Sequence, residues 1–132
     1  MTYLVPYLAA LLVFGVIDGA WLYFMGSQLY KPVLGDVLAP EVRLGPAIAF
    51  YLLFPIGLMI FAIEPAARTE NVATALFYGA LFGFFTYATY DLTNFATLKN
   101  WTLQLTLIDI AYGSLVASLA AAAGYWASSL VR

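Results

Sequence analysis

Four long apolar runs dominate this sequence of 132 residues. They cover about residues 3–25, 46–64, 71–98 and 101–130. A helix needs roughly 20 mostly apolar residues to cross the hydrocarbon core of a bilayer. Each run is long enough to do so. We therefore predict an all-α polytopic membrane protein, folded as a single domain that forms a bundle of four transmembrane helices.

The composition agrees with a membrane environment. Hydrophobic residues make up 64% of the chain and charged residues 9%, whereas soluble domains carry about 25% charged residues. A net charge of −2 argues against nucleic acid as a partner. The chain has no cysteine and no histidine, which excludes disulfides, thiol or imidazole catalysis and typical zinc sites. The first run lacks a basic leading segment and a cleavage site, so we expect it to stay as a transmembrane helix.

The connection between the first two runs is the only long one. Its sequence, "GSQLYKPVLGDVLAPEVRLG", sets apolar residues such as Leu29, Leu34 and Val37 against charged residues such as Lys31 and Asp36. This pattern predicts a short helical segment in the membrane interface, broken at or near Pro32 because proline interrupts a helix. The other connections are short, so runs three and four are expected to be antiparallel neighbours.

Small residues recur at a spacing of four, which lets helix backbones approach closely. They are Gly15 and Gly19 in the first run, Gly79 and Gly83 in the third, and Gly113, Ala117 and Ala121 in the fourth. We interpret these faces as packing surfaces of the bundle.

Three aspartates lie well inside the runs. With a rise of about 1.5 Å per residue, Asp18 is about 10 Å from the end of the first helix, Asp91 about 10 Å from the end of the third, and Asp109 about 12 Å from the start of the fourth. Since the first and third helices run towards the side where the fourth begins, all three carboxyls are predicted to lie in one layer. Pro55 frees the carbonyl of Tyr51 at a similar depth.

Helical spacing places other polar and aromatic groups beside these carboxyls. Tyr87 and Asn94 share a face with Asp91, Tyr112 shares one with Asp109, and Phe14 and Trp21 share one with Asp18. Each aspartate costs about 2.5 to 3.5 kcal/mol at a helix centre, whereas interhelical hydrogen bonds average only about 0.6 kcal/mol. Because hydrogen bonding between helices offsets this cost poorly, we predict a functional polar cavity. The candidate ligand- or proton-binding residues are Asp18, Asp91, Asp109, Asn94, Tyr90, Tyr112, Trp21 and Thr97.

Three segments carry a resemblance to a known family. They are "DGAWL" from Asp18, "YDLTNFATLKNW" from Tyr90 and "DIAYG" from Asp109. They resemble the signatures of domain of unknown function 2177, a family of small bacterial four-span membrane proteins, and the resemblance covers essentially the whole chain. The family commonly has a tryptophan where Tyr112 stands. The resemblance implies a bacterial inner-membrane protein, but no established activity.

The residues leave several functions open. The cavity could bind, and transport, a small solute or cation with proton coupling, because neighbouring carboxyls in a dry site can share a proton. Alternatively, the chain is an embedded enzyme that uses carboxyl acid/base catalysis on a lipid or isoprenoid. A second alternative is a non-catalytic accessory membrane subunit. We rank the first interpretation highest; a homodimer would give it a wider pathway than four helices alone.

Metal and cofactor expectations follow from the side chains available. We predict no cofactor and assign no metal. If a hard cation binds, Asp18, Asp91 and Asp109 are the ligands expected for Mg²⁺, Ca²⁺ or Mn²⁺, since oxygen donors suit these ions. The few lysines and arginines fall on both sides of the bundle and leave the orientation in the membrane open.

Overall fold

The computed structural model describes residues 2–35 and 43–132, and in this part of the chain it is helical, with four helices long and apolar enough to cross a membrane. They are α1 (Leu4–Leu34), α2 (Leu44–Thr69), α3 (Val72–Thr97) and α4 (Leu103–Val131). The predicted all-α bundle of four apolar helices is confirmed.

The helix α4 is the centre of the bundle. It packs against α1, α2 and α3, and its buried face repeats at helical spacing, as seen at Leu105, Asp109, Tyr112 and Val116. The α1 helix turns Ala10, Phe14 and Asp18 inward at a spacing of four residues. Two of the three carboxyls, Asp18 and Asp109, therefore lie on the inner faces of α1 and α4.

The first helix is longer than the predicted run. After Met25 it continues through a π-helical turn, Gly26–Tyr30, and one further α-helical turn, Lys31–Leu34. Pro32 does not break it, because proline fits the first turn of this short α-helical piece, where its missing N–H is not required. Leu29 and Leu34 are buried, as the amphipathic pattern predicts for an apolar face. The rest of that pattern, including Asp36 and Val37, lies outside the described residues.

The small residues of α3 and α4 do provide a close contact. A Cβ atom added at Gly79 would come within 2.8 Å of the Ala121 Cβ, and one at Gly83 within 2.7 Å of the Ala117 Cβ. Gly15 and Gly19 behave differently, since added Cβ atoms would meet nothing within 4 Å. The predicted packing role is therefore wrong for these two glycines, because α1 contacts the bundle through the Phe14 and Asp18 face instead.

Both ends of α4 are held by specific contacts. The Thr102 hydroxyl caps its start by accepting a hydrogen bond from the Leu105 N–H at 3.1 Å. At the other end, Arg132 Nη1 donates to the Ala67 carbonyl of α2 at 2.9 Å. Because successive helices run antiparallel, the start of α1 lies at this same end of the bundle.

The turn between α2 and α3 contains one strained residue. Glu70 has a φ of 51° in the left-handed region, which disfavours any residue with a Cβ. We expect Glu70→Gly to stabilise the protein by about 1 kcal/mol, measured by thermal unfolding in detergent. Glu70→Ala, which removes the same carboxyl but keeps a Cβ, is expected to give no such gain. An equal gain in both variants would attribute the effect to charge.

Candidate functional site

Asp18 joins three helices at one carboxyl group. It is 7% exposed, and both of its oxygens accept hydrogen bonds from tyrosines. The Tyr112 hydroxyl of α4 donates to Oδ1 at 2.7 Å, and the Tyr51 hydroxyl of α2 donates to Oδ2. Two phenol donors on one carboxylate replace much of the hydration that the membrane interior withholds.

Asp109 is held in a similar way by the far end of α1. The Tyr30 hydroxyl donates to Asp109 Oδ1 at 2.5 Å, and the Trp21 Nε1–H donates to the Tyr30 oxygen at 2.9 Å. Because an indole N–H is only a donor, it fixes Tyr30 as an acceptor on that side. The single phenolic proton of Tyr30 is then directed to Asp109.

Aromatic stacking connects the two carboxyls. The Trp21 and Tyr112 rings lie 4.0 Å apart and within 11° of parallel. Trp21 thus stacks on Tyr112, which donates a hydrogen bond to Asp18. Its N–H also orients Tyr30, which donates to Asp109. Tyr87 of α3 adds an edge-on contact to the Tyr112 ring at 6.1 Å.

Asp91 differs from the other two carboxyls. It is fully buried, with an exposed fraction of 0%, and neither of its oxygens receives a hydrogen bond from an N–H or hydroxyl donor among the described residues. Its polar neighbour is the Asp109 carboxyl of α4, with which it can share a proton in a hydrogen bond. Among the three carboxyls of the described site, Asp91 is therefore the one that receives no phenol hydroxyl.

Two tyrosines in this arrangement are absent from the residues predicted from sequence. Tyr30 lies just beyond the apolar run and resembles an interfacial aromatic residue. Tyr51 is predicted to lie at the depth of the carboxyls, but the group expected to face them is its backbone carbonyl and not its hydroxyl. We use the name carboxyl–tyrosine cluster for the set Asp18, Asp91, Asp109, Tyr30, Tyr51, Tyr112 and Trp21.

Three other predicted residues lie on α3 near Asp91 but are less buried than it. Tyr90 is 57% exposed, its side chain hydrogen-bonds Asn94, and its ring contacts Trp101 edge-on at 5.6 Å. Asn94 is half-buried and Thr97 is exposed. Thr97 lies six positions after Asp91, which turns it about 240° around the helix axis. Asp91 is therefore the fully buried member of this polar stretch.

The threonines of α3 have a local explanation. Each of four threonine hydroxyls donates a hydrogen bond to the backbone carbonyl one turn earlier in the same helix, at 2.5 to 2.9 Å. The four residues are Thr86, Thr89, Thr93 and Thr97. Such bonds satisfy a hydroxyl without a partner from another helix. The polar appearance of this stretch thus comes mostly from residues that need no ligand.

The carboxyls do not combine into a metal centre in the part of the chain that the structure describes. Among those residues, no group of three or more histidine, cysteine, aspartate or glutamate side chains is arranged to hold a metal ion. The recorded partners of Asp18 and Asp109 are neutral phenol hydroxyls. The arrangement is suited to holding and exchanging protons.

The fold and the buried cluster together define a polytopic helical membrane protein with an intramembrane acidic site. The chain belongs to the DUF2177 family: the family model, described as "Predicted membrane protein (DUF2177)", matches residues 3–126. The resemblance seen in the sequence motifs is thereby confirmed. Neither a curated protein nor a solved structure matches the chain.

Proposed function

We propose that this protein is a proton-coupled membrane transporter that binds a proton at Asp91 and passes it, with a small solute or cation, across the membrane. The observation that carries the proposal is the state of Asp91. Its carboxyl is completely buried, receives no hydrogen bond from an N–H or hydroxyl donor among the described residues, and lies within hydrogen-bonding reach of the Asp109 carboxyl.

The hydrogen bonds divide the three carboxyls into two kinds. Asp18 and Asp109 accept bonds from phenol hydroxyls. Asp91 receives no such bond from the described residues. A buried charge without a partner costs far more than a neutral group, so Asp91 is the member of the Asp91 and Asp109 pair that carries the proton.

This division supports a transported proton over a fixed one. A carboxyl pair that served only to hold α3 and α4 together would need no titratable proton, because a neutral hydrogen-bonding side chain can join two membrane helices without a buried acid. An apolar side chain of similar size at position 91 would fill the same space at a lower free-energy cost than a buried carboxyl. Asp109, whose charge is stabilised by Tyr30, provides the neighbouring base to which the proton can move.

The hydrogen bond of Ser118 argues against an acyl-enzyme mechanism at this residue. Nucleophilic catalysis needs a hydroxyl beside a general base. Ser118 instead donates to the Leu76 carbonyl at 2.9 Å, and so joins α4 to α3. We further propose a bacterial cytoplasmic membrane as its location, where an electrochemical proton gradient would drive such transport.

Proton flux into liposomes tests the proposal. Purified protein is reconstituted with a trapped pH-sensitive dye, and a potassium diffusion potential drives protons inward. The proposal includes slow release of the Asp91 proton to either side when no solute is bound, so wild-type liposomes are expected to acidify faster than protein-free liposomes. Asp91→Asn keeps the shape but removes the titratable group, so its rate is expected to fall to the protein-free level.

Glu70→Gln is the matched control, because it removes a carboxyl from an exposed turn outside the bundle. It should acidify at the wild-type rate. Wild-type liposomes that acidify no faster than protein-free ones, or an Asp91→Asn variant as fast as wild type, would refute the proposed function.

A further inference from the structure

A polar cavity lies at the end of the bundle where α4 begins. Its volume is about 500 Å³, and it is lined by Lys31, Pro32, Val33, Gly35, Asn100 and Thr102. The ammonium, amide and hydroxyl groups among these residues suit water. Thr102 precedes Asp109 by seven residues on α4, so the cavity lies about 10 Å from the carboxyl layer.

Four buried apolar side chains pack together beside the cavity, and two of them, Leu29 and Leu105, lie on its carboxyl side. They form their own small cluster, which consists of Leu29 and Leu34 from α1, Trp101 from the turn before α4, and Leu105 from α4. We call this set the apolar plug. Leu105 lies between Thr102 of the cavity and Asp109 of the carboxyl layer, about one helical turn from each.

The same part of α1 supplies half of the apolar plug and a hydrogen-bond donor to Asp109. Leu29 and Leu34 belong to the plug, while Tyr30 donates its hydroxyl proton to Asp109. The segment starts with the π-helical turn Gly26–Tyr30. Such turns are rare, and within α-helices they frequently mark functional sites.

We propose that the apolar plug is a hydrophobic gate between the polar cavity and the carboxyl–tyrosine cluster, opened by movement of the segment Gly26–Leu34. One movement of this segment would withdraw Leu29 and Leu34 from the plug and Tyr30 from Asp109. Water from the cavity would then reach the Asp91 and Asp109 pair and accept or deliver the proton. Hydrophobic constrictions in channels gate by excluding water in this way. The proposal rests on the proposed function, since it supplies the aqueous access that Asp91 needs.

Chemical labelling tests the gate independently of transport. A water-soluble carbodiimide with glycine methyl ester converts water-accessible carboxyls to amides, which mass spectrometry assigns to residues. Asp91 and Asp109 are expected to be modified slowly in the wild type, because water reaches them only while the gate is open. Leu105→Ser hydrates the apolar plug and is expected to make the modification of at least one of them faster. Leu107→Ser is the matched control, because Leu107 lies two residues away on α4 and is 59% exposed on the outer surface.

A crosslinking experiment tests the gate without placing a polar residue in the apolar plug. The chain contains no cysteine, so the double variant Leu34→Cys and Leu105→Cys carries the only two thiols. A short, reducible bis-methanethiosulfonate reagent should join them and hold the plug closed. We expect proton flux in liposomes to stop on crosslinking and to return on reduction, whereas each single-cysteine variant treated in the same way keeps its flux.

The outcomes separate the gate from the proposed function. If wild-type liposomes conduct protons while crosslinking leaves the flux unchanged and Leu105→Ser labels no more than Leu107→Ser, the gate is refuted and the function stands. If wild-type liposomes conduct no protons, the function is refuted, and labelling alone then decides whether the apolar plug excludes water from the carboxyls.

Discussion

Replacing Gly83 by alanine is expected to destabilise the protein by about 3 kcal/mol, near the upper end of the usual cost of overpacking. The added Cβ would collide with the Gly113 carbonyl oxygen and lie 2.7 Å from the Ala117 Cβ. A backbone carbonyl in a central helix has no rotamer through which to move aside. The α3 and α4 helices would therefore have to separate along their closest contact.

Gly15→Ala is the matched control for this experiment. It adds the same methyl group to a transmembrane helix, but at a position where a Cβ would meet nothing within 4 Å. Alanine also has the higher helix propensity, so the control should be neutral or slightly stabilising. Thermal unfolding in detergent, followed by tryptophan fluorescence, measures both variants. Equal losses in the two would show that α3 and α4 do not pack as described.

The second large effect is expected at the carboxyls, where the same substitution should have opposite consequences at two positions. Asp18→Asn removes one charged acceptor from the hydroxyls of Tyr51 and Tyr112. Hydrogen bonds to a charged group contribute about 1.5 to 3 kcal/mol each, so we expect a loss of about 2 kcal/mol. Asp91→Asn removes a group that receives no hydrogen bond from the described residues, and we expect its stability to stay the same or rise.

Unfolding of the two asparagine variants, compared in the same detergent, is the measurement. Tyr112→Phe gives a further check, because it deletes one donor to Asp18 and keeps the ring stacked on Trp21. It should destabilise in the same direction as Asp18→Asn but by less. A clear loss of stability in Asp91→Asn, as large as that in Asp18→Asn, would show that Asp91 is a structural ligand of its neighbours.

The helices and the layer of aspartates could be predicted because each depends on local properties of the chain. Apolar length defines a transmembrane helix, and counting residues from its end gives the depth of Asp18 or Asp109. The glycine contacts of α3 could also be predicted. The same spacing at Gly15 and Gly19 was misleading, because spacing alone does not tell which face of α1 meets the bundle.

The hydrogen-bond partners of the carboxyls could not be predicted in the same way. Tyr30 reaches Asp109 because the π-helical turn Gly26–Tyr30 extends α1 past its apolar run. No residue type in that turn predicts a π-helical conformation. Tyr51 contributes its hydroxyl because α2 faces Asp18. Which face of α2 packs inward is decided by all the helices together, through contacts such as the stacking of Phe14 on Phe54 at 4.6 Å.

The central position of α4 has a consequence for biosynthesis. Asp18 enters the membrane with the first helix, yet its partner Tyr112 follows 94 residues later, and Asp109 reaches Tyr30 across 79 residues. A nascent chain that has inserted α1, α2 and α3 thus holds Asp18 with one of its two tyrosines, and Tyr30 without its acceptor. Only insertion of the last helix completes these bonds. A chain cut before Leu103 should therefore be a substrate for membrane quality-control proteases, whereas the chain with all four helices is not.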